Sequence, residues 1–173
     1  MSSFLFLTTL LTYFKTNKNA TIYDSIERIS MQSSIKQGLE NYISYFQNLS
    51  VDTVDNLDEL VVNDVRFVDH FQDVTGVEEM KYVLMKVFED VPTPLFEIND
   101  YAVGQTNIGY IKWSFLFTGK KKEWRFRGMS EVHFTQDGKI KLHIDHWDSI
   151  SQLYQKIPGV GSIIQFLKKK VGA

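Results

Sequence analysis

Residues 124–148 read WRFRGMSEVHFTQDGKIKLHIDHWD, and this stretch decides the fold. Apolar and polar residues alternate on both sides of Thr135-Gln136-Asp137-Gly138, and Asp-Gly between two alternating runs is a strong short-range hairpin signal. Two long antiparallel strands are expected. His133, His143 and His146, three of the chain's four histidines, lie in the hairpin with Trp124 and Trp147.

Working back from the hairpin, Phe96–Val103 and Gly109–Thr118 read as two more strands. In the second, Ile111, Trp113, Phe115 and Phe117 alternate with Tyr110, Lys112, Ser114 and Leu116, and Gly119-Lys120-Lys121-Lys122 is the exposed turn after it. Everything before Leu95 is mainly helical. Ile35, Leu39, Tyr42, Ile43, Phe46 and Leu49 recur at helical spacing from Ser33, with Tyr45 beside the stripe. A short helix is expected over Thr53–Val61 and a third over Val77–Asp90, which Pro92 and Pro94 stop. Between them, Val65, Phe67, Asp69 and Phe71 share one face of an extended segment. Helices first and antiparallel strands afterwards make the chain α+β.

The sequence has 173 residues, 43% apolar and 14% aromatic, with a formal net charge of -2. One core is the expectation at this length, and nothing globally basic points to nucleic acid. With no cysteine, disulfides, thiolate chemistry and Cys-based zinc sites are excluded. The apolar run Phe4–Phe14, FLFLTTLLTYF, has no preceding Lys or Arg and no small-x-small site after it, and it is shorter than a spanning helix needs. A cytoplasmic protein is therefore expected. Residues 1–32 read as an N-terminal extension, broken at Thr16-Asn17-Lys18-Asn19, with an extra helix carrying Ile22, Ile26 and Ile29. Residues 33–150 form the domain, and residues 151–173 are a C-terminal helical segment that packs on it or closes it. There, Ile163, Ile164, Phe166 and Leu167 precede Lys168-Lys169-Lys170, a pattern that also suits weak peripheral contact with a membrane.

The order Val65-Arg66-Phe67-Val68-Asp69, Thr75-Gly76-Val77, Trp113-Ser114-Phe115, Arg127-Gly128 and Asp137-Gly138-Lys139-Ile140 resembles the nuclear transport factor 2-like superfamily. That group includes SnoaL-like polyketide cyclases, ketosteroid isomerases, scytalone dehydratase, limonene-epoxide hydrolase and noncatalytic binding modules. The ending His143-x-Asp145-x-Trp147-Asp148 is most similar to SnoaL-like proteins. The resemblance implies a cone: a strongly curved antiparallel sheet wrapped around three N-terminal helices, with an apolar pocket at the wide end and subunits paired through the sheet as a homodimer. Carried over from ketosteroid isomerase, it puts the general-base aspartate at Asp69 and the oxyanion-binding tyrosine at Tyr45. The second donor of that site, a protonated carboxylic acid, falls on Ser130, so half of the isomerase's oxyanion hole is missing. His70 stands where the family has proline.

The candidate catalytic residues are thus Asp69, Tyr45, Ser130, His146 and Asp145, and Trp113, Phe115, Phe126 and Phe67 are the candidate ligand contacts, with Met129 and Phe134 as further aromatic-cavity neighbours. Parity from Ile140, Leu142 and Ile144 puts His146 on the core side and Lys141, His143, Asp145 and Trp147 on the other. The SnoaL-like resemblance brings Asp145 to the ligand instead, which a β-bulge would achieve. Arg125, Arg127, Glu131 and His133 share the outer face as an ion network. His143 and His146, three apart on a strand, face opposite ways, so no metal is expected, nor any cofactor. Two functions fit: a cofactor-free isomerase, lyase or cyclase that abstracts a proton next to a carbonyl of a small apolar molecule, or a noncatalytic ligand-binding or interaction domain.

Overall fold

The computed structural model describes the backbone of residues 2–119 and 123–171 and the side chains of residues 23–119 and 123–170. The turn at Lys120-Lys121-Lys122 and the side chains of the Phe4–Phe14 run lie outside the described residues.

Helix α1 spans Ser2–Gln47 without a break. The polar run at residues 16–19 does not interrupt it, because the sequence holds no glycine or proline before Gly38 and those are the residues that stop helices. Its last turns bury Ile35, Leu39, Tyr42 and Ile43. A 3-10 turn, Val54–Glu59, replaces the short helix expected there. Strands β1 (Val61–Val68) and β2 (Asp73–Thr75) follow, then helix α2 (Val77–Asp90) at the bounds its periodicity gives. Strands β3 (Leu95–Val103), β4 (Ile108–Thr118), β5 (Glu123–Phe134) and β6 (Ile140–Trp147) complete the sheet. The chain ends in α3 (Ser149–Gln152), a 3-10 turn at Tyr154–Lys156, and α4 (Val160–Val171).

The six strands form one open sheet in the order β2-β1-β6-β5-β4-β3. The fold is α+β and matches the expected cone, but the sheet is mixed: β1 runs parallel to β6, and every other pair is antiparallel. The reason is topological. The chain reaches β6 only after the meander β3-β4-β5, so β6 closes against the first strand in the same direction.

The sheet carries three register shifts; besides the one in β1 between Val61 and Arg66, two more bend it. One lies between Ile98 and Asp100 in β3. The other separates the pairs Phe134↔Ile140 and His133↔Leu142, leaving Lys141 as an extra, exposed residue in β6. An extra residue on one strand bends it and turns the following side chains to the other face. The β5–β6 turn then seats on α1 through two glycines: a Cβ on Gly38 would come within 2.1 Å of the Gly138 carbonyl oxygen. Gly138 itself has φ +89, a conformation that glycine adopts without strain.

Candidate functional site

The bulge at Lys141 decides what faces inward. Beyond it, His143 pairs with Val132, Asp145 with Ser130 and Trp147 with Gly128, and residues paired directly across strands share a face. Parity counted from Ile140 is therefore inverted. His146 pairs with Met129 on the outer face, where it is exposed and its Nε2 lies 3.6 Å from Glu131. His146 is thus removed from the inner site, and Met129 is removed with it.

The concave face, α1 and α2 enclose a cavity of about 570 Å³. Phe67, Trp113, Phe115 and Phe126 line it with Phe46, Phe96, Phe117 and Trp147, and the rings pack in a nearly continuous chain from Phe96–Phe115 at 4.7 Å to Phe126–Trp147 at 5.2 Å. This volume and lining suit a small apolar ligand. Trp113 can lie across the floor because Gly128 has no side chain; a Cβ there would meet its ring at 2.4 Å.

One polar chain runs through this apolar wall. Trp113 Nε1 donates to Ser130 Oγ at 2.9 Å, and Ser130 Oγ donates to Asp145 Oδ1 at 2.6 Å. His143 Nε2 lies 2.9 Å from the same Oδ1, and His143 Nδ1 lies 2.8 Å from the Tyr42 hydroxyl. With Asp145 ionised, His143 presents Nε2–H to it, and its Nδ1 pairs with the Tyr42 hydroxyl. Both bonds to Asp145 converge on Oδ1, so Oδ2 is the carboxylate oxygen left to a ligand.

Burial alone would raise the Asp145 carboxyl, but the His143 charge, the His143 and Ser130 hydrogen bonds and the charge of His146 outweigh it and hold the group below its usual range. The opposite holds for the phenol at the far end. Burial, with the nearby Asp145 charge and Tyr45, pushes Tyr42 well above the ordinary tyrosine value, so it stays a proton donor.

Asp69 lines the mouth of the cavity, yet its Oδ1 accepts the backbone N–H of Phe71 at 2.6 Å and of Gln72 at 2.9 Å. Such a carboxylate shapes a turn. Tyr45 does not line the cavity: its buried hydroxyl donates to the Val54 carbonyl oxygen at 3.1 Å. The tyrosine that reaches the polar chain is Tyr42, one helical turn earlier. Its place on the apolar stripe of α1, rather than beside it, was the available signal. Among the described residues no group of three or more metal-ligating side chains occurs.

The sequence profile of the SnoaL-like domain matches residues 42–143, more than half of the chain. No curated protein matches it. Among solved structures, an NTF2-like protein of unknown function from Exiguobacterium sp. 255-15 is 18% identical and aligns over 64% of this chain and 98% of its own, with a TM-score of 0.56. An LEH-like epoxide hydrolase from M. tuberculosis is 16% identical over 70% of this chain and 82% of its own, with a TM-score of 0.55. A protein with a ketosteroid isomerase-like fold from Catenulispora acidiphila DSM 44928, in complex with trimethylamine, is 13% identical over 67% and 88%, also with a TM-score of 0.55. At these identities the likeness is one of fold.

Proposed function

The chain belongs to the SnoaL-like domain family, and we propose that it binds a small apolar carbonyl compound and moves a proton at Asp145. The observation that carries this reading is the position of Asp145: Oδ1 is fixed by Ser130 and His143, and the carboxylate lines a cavity otherwise walled by aromatic rings. A carboxylate held charged near neutral pH is always in its accepting form. Its low basicity suits only a carbon acid already activated by an adjacent carbonyl.

In the proposed step the C–H bond next to the carbonyl breaks, the proton goes to Asp145 Oδ2, and the electron pair moves onto the carbonyl oxygen as an enolate. Return of the proton to another carbon completes an isomerisation. His143 and Ser130 hold the carboxylate in place throughout. This assigns the base to Asp145, leaves Asp69 to the turn, and gives Tyr42 the role of fixing the His143 ring. A fold relative named as an LEH-like epoxide hydrolase supports acid-base chemistry on this scaffold.

One observation favours a noncatalytic ligand-binding role instead. The Tyr42 hydroxyl and the Trp113 N–H, the obvious donors for an enolate oxygen, are both spent inside the protein. The deciding experiment incubates wild type and Asp145→Asn with small apolar ketones in D2O and follows exchange of the hydrogen next to the carbonyl by NMR. Exchange that falls about a hundredfold or more in the variant supports proton transfer. Ligands that quench tryptophan fluorescence without exchanging in either protein would sink it in favour of binding alone.

A further inference from the structure

The helix that follows the cavity's rim sets an exposed apolar stripe beside a run of lysines. Gly161 and Ile164 turn α4 towards the 3-10 turn at Tyr154–Lys156, on which it chiefly packs; a Cβ on Gly161 would meet the Gln155 carbonyl oxygen at 2.4 Å. The opposite side presents Ile163, Phe166 and Leu167, exposed at 61%, 58% and 54%. This i, i+3, i+4 stripe is bordered by Lys168, Lys169 and Lys170, with Lys170 Nζ 5.2 Å from the centre of the Phe166 ring. There is no acidic residue in α4, although the whole chain carries a net charge of -2.

The location is as telling as the composition. β1 and β6 run parallel, so their C-terminal ends open at the same end of the sheet, where Phe71 packs on Trp147 at 5.9 Å. Phe71 and Tyr82 both line the cavity while remaining largely exposed. The path to α4 starts from Asp148 at this rim. The Ser151 hydroxyl and amide hold the Asp148 carboxyl below its usual range, with a smaller contribution from the charge of Lys168 in α4.

We propose that α4 docks this protein on an anionic lipid surface, with the mouth of the cavity turned to the bilayer. The apolar stripe enters the boundary between headgroups and acyl chains while the lysines meet anionic headgroups, as in other basic amphipathic helices. The orientation of the mouth rests on the cavity being a site for apolar ligands; the docking of α4 does not. An apolar substrate would then enter from the lipid phase.

Sedimentation of the full chain with phosphatidylcholine vesicles, with and without phosphatidylglycerol, tests this. Binding is expected with the anionic vesicles alone and is released by high salt. Changing Lys168, Lys169 and Lys170 together to Ala lowers partitioning about a hundredfold, and Ile163→Ser with Phe166→Ser lowers it as much. All these side chains are exposed, so circular dichroism stays that of wild type. Absence of vesicle binding, or binding that ignores the lysine changes, overturns the proposal. So does a dimer in ultracentrifugation that Phe166→Ser dissociates without any vesicle binding, since the face then belongs to a second copy. Quenching of tryptophan by a soluble ketone, measured without vesicles, reads the cavity separately and is unmoved by the α4 changes.

Discussion

His143 and Asp145 stand on the same inward face of β6, with Nε2 and Oδ1 2.9 Å apart, although the apolar residues Ile140, Leu142 and Ile144 mark the other parity. The single extra residue Lys141 makes the pairing possible. It costs one unpaired backbone position and turns two ionisable groups into the cavity.

The first consequence concerns acid. The folded-state value of Asp145 lies below its ordinary one, so between the two values the folded protein holds fewer protons than the unfolded chain. The stabilisation is whole above the ordinary carboxylate value of about 4 and is lost as pH falls through the lower, folded value. Asp145→Asn is expected to cost about 1–3 kcal/mol at neutral pH. Thermal melts from neutrality down to strong acid should show the gap between variant and wild type closing below about pH 4. A gap that stays constant would mean the carboxylate is not held charged by its neighbours.

The two tyrosines of α1 separate structure from site. Tyr42→Phe leaves His143 Nδ1 buried without its partner and is expected to cost about 1–3 kcal/mol. It also frees the imidazole ring, so the pH profile of any proton transfer at Asp145 shifts. Tyr45→Phe removes only the bond to Val54 and leaves that profile where it was. Chemical denaturation and exchange rates across pH, measured on both variants, check the contrast. Equal profiles for the two would remove Tyr42 from the site.

Much of this arrangement was legible in the residues. The hairpin at Asp137-Gly138, the bounds of α2 and the inward phenylalanines of β4 all follow from local periodicity and turn chemistry, which act over a few residues. Lys141 was not legible in this way. A bulge is fixed by which partner residues pair across the sheet, and Lys141, an ordinary exposed lysine, carries no local mark of it. Parity alone consequently turns His146 inward. The resemblance points to Tyr45, whereas the structure brings Tyr42 to the polar chain: both are buried, and only the position of β6 tells which hydroxyl meets a histidine. The unbroken length of α1 could have been anticipated from the absence of glycine and proline before residue 38.

The contact between α1 and the hairpin turn should be among the least tolerant in the protein. Gly38→Ala would put a methyl 2.1 Å from the Gly138 carbonyl oxygen, and backbone on both sides leaves no flexible side chain to give way. A loss of about 1–3 kcal/mol or more is expected, read as a lower urea midpoint. Gly159→Ala is the control for strain without crowding, because nothing lies within 4 Å of a Cβ there and only its φ of +84 resists substitution. Its cost should be the smaller of the two; the reverse order would mean the turn moves away from α1 freely.

Lys81 offers the clearest test of a charge in the body of the domain. Its side chain is only 10% exposed, and its amine lies 2.7 Å from Asp58, 3.0 Å from Glu78 and 3.6 Å from Asp55, tying α2 to the 3-10 turn at Val54–Glu59. The Asp58 hydrogen bond, helped by Glu78 and working against burial, raises the amine above its ordinary value. Its stabilisation is therefore complete below the ordinary lysine value of about 10.4 and is lost only as pH climbs through the higher, folded one. Lys81→Met keeps the buried stem and removes the charge. About 1–2 kcal/mol should be lost across the neutral range, with part of the loss disappearing in high salt because the three carboxylates face solvent. Lys86→Met, which breaks exposed pairs to Glu89 and Asp90 within α2 itself, should change the melting temperature little. Comparable losses at both positions would mean that the Lys81 cluster acts as an ordinary surface ion pair and does not clamp the two elements together.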